Sequence, residues 1–141
     1  MEILSGDDCF RKLDESYYIL FYFTASWCGP CQRIYPHLVN LMNTYDKNII
    51  QCFKIDIDDD ENQELCEKLN IKSVPTFILL KDRNYIDQCQ GANIENIQAL
   101  IETNISINNQ QEINDEDERI RMLEEEYMLS SQSDDYSDED N

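Results

Sequence analysis

The 141-residue chain has only three glycines, three prolines, one histidine and one tryptophan, and its 11 lysines and arginines face 30 aspartates and glutamates. Each scarcity narrows the function. A structural zinc site takes four ligands. The single histidine, His37, and six cysteines with only one close pair do not supply them in any usual spacing. A formal net charge of -19 would be repelled by phosphate backbones, so no nucleic-acid partner is expected. The apolar stretch Tyr17 to Phe23 is far shorter than the roughly 20 residues that cross a bilayer, and no membrane partner is expected. Met1 to Phe10 contains Glu2, Asp7 and Asp8 and has neither the basic flank nor the apolar core of a secretory signal. The expected location is cytoplasmic, where cysteines persist as thiols rather than as a disulfide framework.

The charge is uneven. Glu112 to Asn141 carries 13 acids and two arginines, which accounts for 11 of the 19 net negative charges. The remainder is long enough for one domain with a real core. Apolar periodicity stops near Ser106 to Gln111, so the chain divides into a domain over residues 1–107 and an acidic tail over 108–141. Ile113, Ile120, Leu123 and Tyr127 sit at helical spacings, which allows an amphipathic helix over 112–129. Residues 130–141 are polar and acidic and are expected to be disordered. Two roles are open for the tail: solubility through charge repulsion, or selection of partners.

Strands and helices alternate through the domain. Glu2 to Leu4 reads as a short edge strand and Asp7 to Glu15 as a helix. Tyr18 to Ala25, a continuous β-branched and aromatic run, reads as a buried strand. A second helix starts near Cys28 or Gly29, with Ile34, Leu38, Leu41 and Tyr45 on one face and Pro36 as an interior kink. Ile49 to Ile57 is a strand, Asp60 to Leu69 a helix, and Thr76 to Leu80 and Tyr85 to Gln90 are two strands joined by the turn Lys81 to Asn84. Asn93 caps a last helix carrying Ile94, Ile97, Leu100 and Ile101. The order implies an α/β fold with a central mixed sheet and helices on both faces.

The chemistry concentrates at Trp27-Cys28-Gly29-Pro30-Cys31. Two thiols two residues apart, at a strand-to-helix junction, form a redox motif, because a helix N-terminus stabilises a thiolate on the first cysteine. Half of a zinc site is the competing reading, and it fails on ligand number.

Four features, in this order, resemble the thioredoxin family: Ala25-Ser26-Trp27-Cys28-Gly29-Pro30-Cys31, Pro36 in the following helix, Ile71-Lys72-Ser73-Val74-Pro75-Thr76, and Gly91-Ala92 after the final strand. Lys54-Ile55-Asp56-Ile57-Asp58 also resembles the family's central strand. The resemblance covers about Met1 to Ile105. It implies a thioredoxin fold and protein-disulfide reduction through a reversible Cys28–Cys31 disulfide. Cys28 would be the exposed nucleophile and Cys31 the more buried resolving thiol. Gly29 and Pro30 would shape the turn. Trp27, Val74, a cis Pro75 and Gly91 would form the surface that receives substrate. No metal and no bound cofactor are implied. Electrons would come from a thioredoxin reductase, an NADPH-dependent flavoprotein, and pass to disulfide-containing proteins.

The chain departs from the family at Tyr22, where thioredoxins usually carry a buried aspartate that helps deprotonate the second cysteine. A phenol is a poor base at neutral pH. Tyr22 either slows resolution of mixed disulfides or only fills core volume. Lys54 matches a lysine that accompanies the missing acid, so its partner is open. The turn at Lys81 to Asn84 lacks the usual glycine, and Asn84 is the residue that tolerates a left-handed backbone. Cys52 and Cys66 read as small buried hydrophobes. Cys89 is the candidate for oxidation near the active-site face. His37 reads as a surface residue. An adaptor module with weak redox turnover is the alternative function, favoured by Tyr22 and by the tail.

Overall fold

The computed structural model describes residues 1–105. The boundary region near 106–111, the expected tail helix over 112–129 and the segment 130–141 lie outside the described residues.

Five strands, β1 (Glu2–Leu4), β2 (Tyr18–Thr24), β3 (Ile50–Asp56), β4 (Thr76–Lys81) and β5 (Asn84–Gln90), form one sheet in the order β1-β3-β2-β4-β5. β1 and β2 run parallel to β3, whereas β4 runs antiparallel to both β2 and β5. The mixed sheet follows from the connections. Helical crossovers link the parallel strands, and a tight turn links β4 to β5. β2 lies at the centre, and all seven of its residues are buried, as its unbroken apolar run requires.

Alternation along β2 sorts its side chains between two layers. Ile19, Phe21 and Phe23 join Leu4, Phe53, Ile55, Ile78 and Leu80 in a core that also takes Cys9 from α1 (Asp7–Lys12) and Leu65 from α3 (Gln63–Lys68). Phe21 and Phe23 meet edge to face with centroids 6.1 Å apart. Tyr22 points the other way, toward α2 (Gly29–Met42), where it stacks on Tyr35. α4, residues 94–105, starts where the Asn93 carboxamide accepts from the Glu95 and Asn96 amides at 3.0 and 3.2 Å. Its Ile97, Leu100 and Ile101 are buried. Helices therefore cover both faces of the sheet.

Several elements are shorter than their sequence patterns. α1 stops at Lys12 rather than Glu15, because the chain passes into turns closed by Leu13 and Asp14 amides on the Phe10 and Arg11 carbonyls. α2 ends at Met42 rather than Tyr45. Asp60–Asn62 is a 3₁₀ turn leading into α3, with the Asp59 carboxylate accepting from the Glu61 amide. The β4–β5 turn is a two-residue loop with Asp82 and Arg83 at φ 52° and 68°. The left-handed residues are thus these two and not Asn84, which pairs with Lys81 in the ladder.

Asn62 joins the two loops on the α1 and α3 side. It is 1 % exposed, accepts from the Gly6 amide at 2.9 Å and donates to the Asp56 carbonyl at 2.9 Å. Cys9 Sγ lies 3.7 Å from the same carboxamide oxygen.

Candidate active site

β2 ends at Thr24, and Ala25-Ser26-Trp27 carries the chain over the sheet edge into α2. Cys28 is the N-cap of α2, in extended conformation (φ -88°, ψ 105°), with Pro30 in the first turn. Proline is tolerated there because the first amides of a helix lack intrahelical partners. One of those free amides, Cys31 N–H, donates to Cys28 Sγ at 3.2 Å. Free amides and the positive end of a helix are the surroundings that in general stabilise negative charge on a first-turn sulfur. Cys28 and Cys31 are joined in a disulfide with Cα atoms 5.3 Å apart.

Cys31 is completely buried, as expected, but Cys28 is not the openly exposed group that its role suggested: it is 5 % accessible. The Val74–Pro75 loop covers it, with the Val74 carbonyl oxygen 3.8 Å from Cys28 Sγ. The Val74–Pro75 bond is cis. The Pro75 carbonyl accepts from the Gly91 amide at 2.9 Å, which brings the end of β5 to the same edge of the site. Gly91 has φ 93°, and an added Cβ would meet nothing within 4 Å, so backbone conformation rather than space selects glycine.

Trp27 is 67 % exposed and is not a core indole. Its Nε1–H donates to Asp58 Oδ2 at 2.8 Å, which fixes the ring beside the dithiol. Asp58 belongs to the acid-rich run after β3, where a charge reads as surface; no local pattern marks it as the partner of a residue 31 positions earlier.

Tyr22 is buried under the dithiol. Its hydroxyl donates to the Cys31 carbonyl at 2.7 Å. Its ring stacks on Phe77, with centroids 5.2 Å apart and planes 6° apart, and on Tyr35 at 6.3 Å and 24°. Burial raises the phenol pKa further above its ordinary value, so Tyr22 stays neutral. Lys54, opposite Tyr22 in the β2–β3 ladder, places Nζ 4.6 Å from the Tyr35 ring centroid, and that aromatic face is its partner. Tyr35 itself was not anticipated as part of this group.

The remaining four cysteines are unpaired. Cys52 is buried, and burial raises its pKa strongly. Cys66 is half-buried rather than fully buried, packed against the core around Cys9. Cys89 is half-buried on β5 opposite Phe77, and burial, helped by Asp87, pushes its thiol up to about 11, the reverse of a reactive thiol. His37 is exposed on α2. Among the described residues no group of three or more His, Cys, Asp or Glu side chains is placed to hold a metal, and no helix is long and apolar enough to cross a membrane.

The thioredoxin family model matches residues 3–103. The chain belongs to the thioredoxin family. It is 33 % identical over 107 residues to thioredoxin of Coprinus comatus, covering 75 % of this chain and 99 % of that protein. It is 36 % identical over 102 residues to Thioredoxin-2 of Pyricularia oryzae, where the match spans 72 % of this chain but only 57 % of the longer relative. Solved structures agree: Plasmodium falciparum thioredoxin superposes with a TM-score of 0.66 at 35 % identity, over 73 % of this chain and 98 % of that one. Chlamydomonas reinhardtii thioredoxin f2 gives 0.67 at 29 %, over 74 % and 95 %. The mixed five-stranded sheet is the thioredoxin fold. With Cys28 and Cys31 at disulfide distance, the chain carries a thiol-disulfide oxidoreductase domain, and thioredoxins bind no cofactor of their own.

Proposed function

We propose that this thioredoxin-family chain works as a protein disulfide reductase, with Cys28 as nucleophile and Cys31 as resolving thiol. The observation that carries the assignment is the Cys31 amide on Cys28 Sγ at the helix N-cap. It identifies which sulfur gains charge stabilisation. The Cys28 thiolate attacks one sulfur of a substrate disulfide and releases the other as a thiolate. Cys31, having given up its proton, then attacks Cys28. The substrate leaves with its second sulfur reduced, and two electrons have passed from the dithiol. Thioredoxin-type pairs lower the first pKa to about 7 and hold potentials of about -270 mV, which favours reduction of strained or exposed disulfides of higher potential. Gly29 and Pro30 shape the helix start.

Trp27, Val74, Pro75 and Gly91 are assigned to substrate docking. The Val74 carbonyl 3.8 Å from Cys28 Sγ and the Gly91 amide on the Pro75 carbonyl support this reading, and an extended segment can pair with the Val74 backbone by strand addition. Electrons are assigned to an NADPH-dependent flavoprotein reductase and the substrates to disulfide-bearing proteins. The cytoplasm is the assigned compartment, which fits four of the six cysteines being unpaired. Residues 1–107 are taken as the working domain and 108–141 as an acidic extension that serves solubility. Loss of partner choice on removing 109–141 would give the extension the larger role instead.

The test is reduction of insulin with dithiothreitol as electron source, against Cys28→Ser. Fast turnover that vanishes in the variant supports the reductase. Turnover no better than the variant supports the second reading, an adaptor with weak redox turnover. The observation favouring that reading is a neutral tyrosine in place of the family's acid beneath Cys31.

A further inference from the structure

We propose that Tyr22 is a positioning residue for the resolving step: its hydroxyl holds the Cys31 carbonyl, and with it the resolving sulfur, against Cys28. The inference rests on the dithiol reading above and adds a residue that acts through Cys31.

Tyr22 is 1 % exposed and stacks on two aromatic rings, a place that phenylalanine fills equally well. A buried hydroxyl costs free energy unless it is bonded. Its partner here is the main chain of the resolving cysteine, 2.7 Å away.

The turn that Tyr22 grips is weak. Pro36 lies inside α2 and has no amide, so the carbonyl four residues before it, that of Gln32, lacks its helical donor. The turn carrying Cys31 is therefore short of one helix bond. Tyr22 supplies a bond from the sheet to the neighbouring carbonyl. Its own direction is set by the stack on Phe77 and Tyr35, with Lys54 over the Tyr35 ring. The sulfur is thus placed from the rigid central strand rather than from the helix alone. Effective attack needs such alignment, and small displacements of a reacting atom are costly.

An aromatic disulfide of thionitrobenzoate separates the two steps. The Cys28 thiolate attacks it, a Cys28–aryl disulfide forms, and the first thionitrobenzoate leaves with the electron pair of the broken bond. Cys31 then gives its proton to solvent and its sulfur attacks Cys28 Sγ. The Cys28–Cys31 bond forms, the bond to the aryl sulfur breaks, and the second thionitrobenzoate leaves. One probe molecule is reduced and one dithiol oxidised.

The experiment mixes this probe, equimolar, with the reduced full chain in a stopped-flow absorbance instrument, in a Cys66→Ser, Cys89→Ser background that removes the half-buried thiols. In Tyr22→Phe the second release should slow about fivefold, the equivalent of one ordinary hydrogen bond, with the first release within about twofold of the parent. Phe21→Leu removes ring contacts from the opposite, packed layer and leaves Tyr22 and its stack in place; it should lower the melting temperature and leave the second release within about twofold. A Tyr22→Phe second release matching the parent, or an equal slowing in Phe21→Leu, overturns the positioning role. A parent with no first release, or a first release that survives Cys28→Ser, overturns the oxidoreductase reading itself. Cys31→Ser must keep the first release and lose the second.

Discussion

Asn62→Ala should be among the most destabilising single changes outside the aromatic core. The side chain is 1 % exposed and bridges two loops. Truncation leaves the Gly6 amide and the Asp56 carbonyl without their 2.9 Å partners and opens a small polar void beside Cys9. An unsatisfied buried group costs about 1–3 kcal/mol. Both orphaned groups are only partly buried, so each falls in the lower half of that range, and the pair sums to about 2–4 kcal/mol. For a domain of this size each kcal/mol lowers the melting temperature by about 4–8 °C, so a loss of about 8–32 °C is expected. Gly6 adds to the consequence, since its φ of 61° is a conformation that Asn62 helps to hold at the entry to α1. Far-UV circular dichroism melts and urea titrations of oxidised protein measure the effect, with an unchanged urea slope as the sign that only stability has moved. Asn62→Asp is the control: it keeps the acceptor for Gly6, loses the donor to Asp56, and adds a charge near Asp59, so it should be no better than alanine. A fall of less than about 3 °C in Asn62→Ala would refute the reasoning, since water would then be replacing the carboxamide at little cost.

Other consequences can be checked on the same protein. Asp58→Ala should leave stability within about 1 kcal/mol, because its bond to Trp27 is exposed, yet shift the emission of the single tryptophan; an unaltered spectrum would mean that the bond does not hold in solution. Gly91→Ala should cost about 1–2 kcal/mol in a urea titration through its φ of 93° alone, with no steric component, and a neutral result would count against the backbone argument. Cys9 and Cys89 are each pushed from 9.0 up to about 11, chiefly by burial. The folded chain therefore keeps protons that the unfolded chain releases. The associated stability is complete below about pH 9 and is lost as pH rises toward the folded values. The urea midpoint should fall over that window and fall less in Cys9→Ala; equal slopes would be the contrary result.

The parts of this protein that repeat a local pattern were legible in the sequence. The unbroken apolar run gave the central strand, Asn93 gave a helix start, and Trp27 to Cys31 marked the chemistry together with its strand-to-helix setting. What escaped are contacts between residues distant in the chain. Nothing around Asp58 distinguishes it from Asp59 or Asp60, so its bond to Trp27 could not be read. Asn62 looks like any polar residue of a loop until Gly6 and Asp56 are seen on either side of it. The limited accessibility of Cys28 was missed because the motif describes only the helix, whereas the cover comes from Val74 and Pro75. The positive φ values at Asp82 and Arg83 were misplaced onto Asn84. A two-residue loop is fixed by where the β4–β5 register closes, and the one-letter pattern does not give that register.

The central strand shows why a continuous apolar run hides function. With every residue of β2 buried, hydrophobicity cannot say which side chains face which layer. The pleat decides it. Ile19, Phe21 and Phe23 enter a layer whose members only pack, whereas Tyr22 enters the layer that holds the dithiol. Substitutions at Phe21 and at Tyr22 should therefore fail differently, although the two are adjacent and equally buried. Phe21→Leu removes ring contacts from the packed layer and should lower stability by about 1–2 kcal/mol with exchange rates intact. Tyr22→Phe removes one oxygen, barely changes packing volume, and takes away the hydrogen bond to the Cys31 carbonyl. A change that small can alter a rate without altering the fold only because the sheet delivers its one polar atom to the resolving residue.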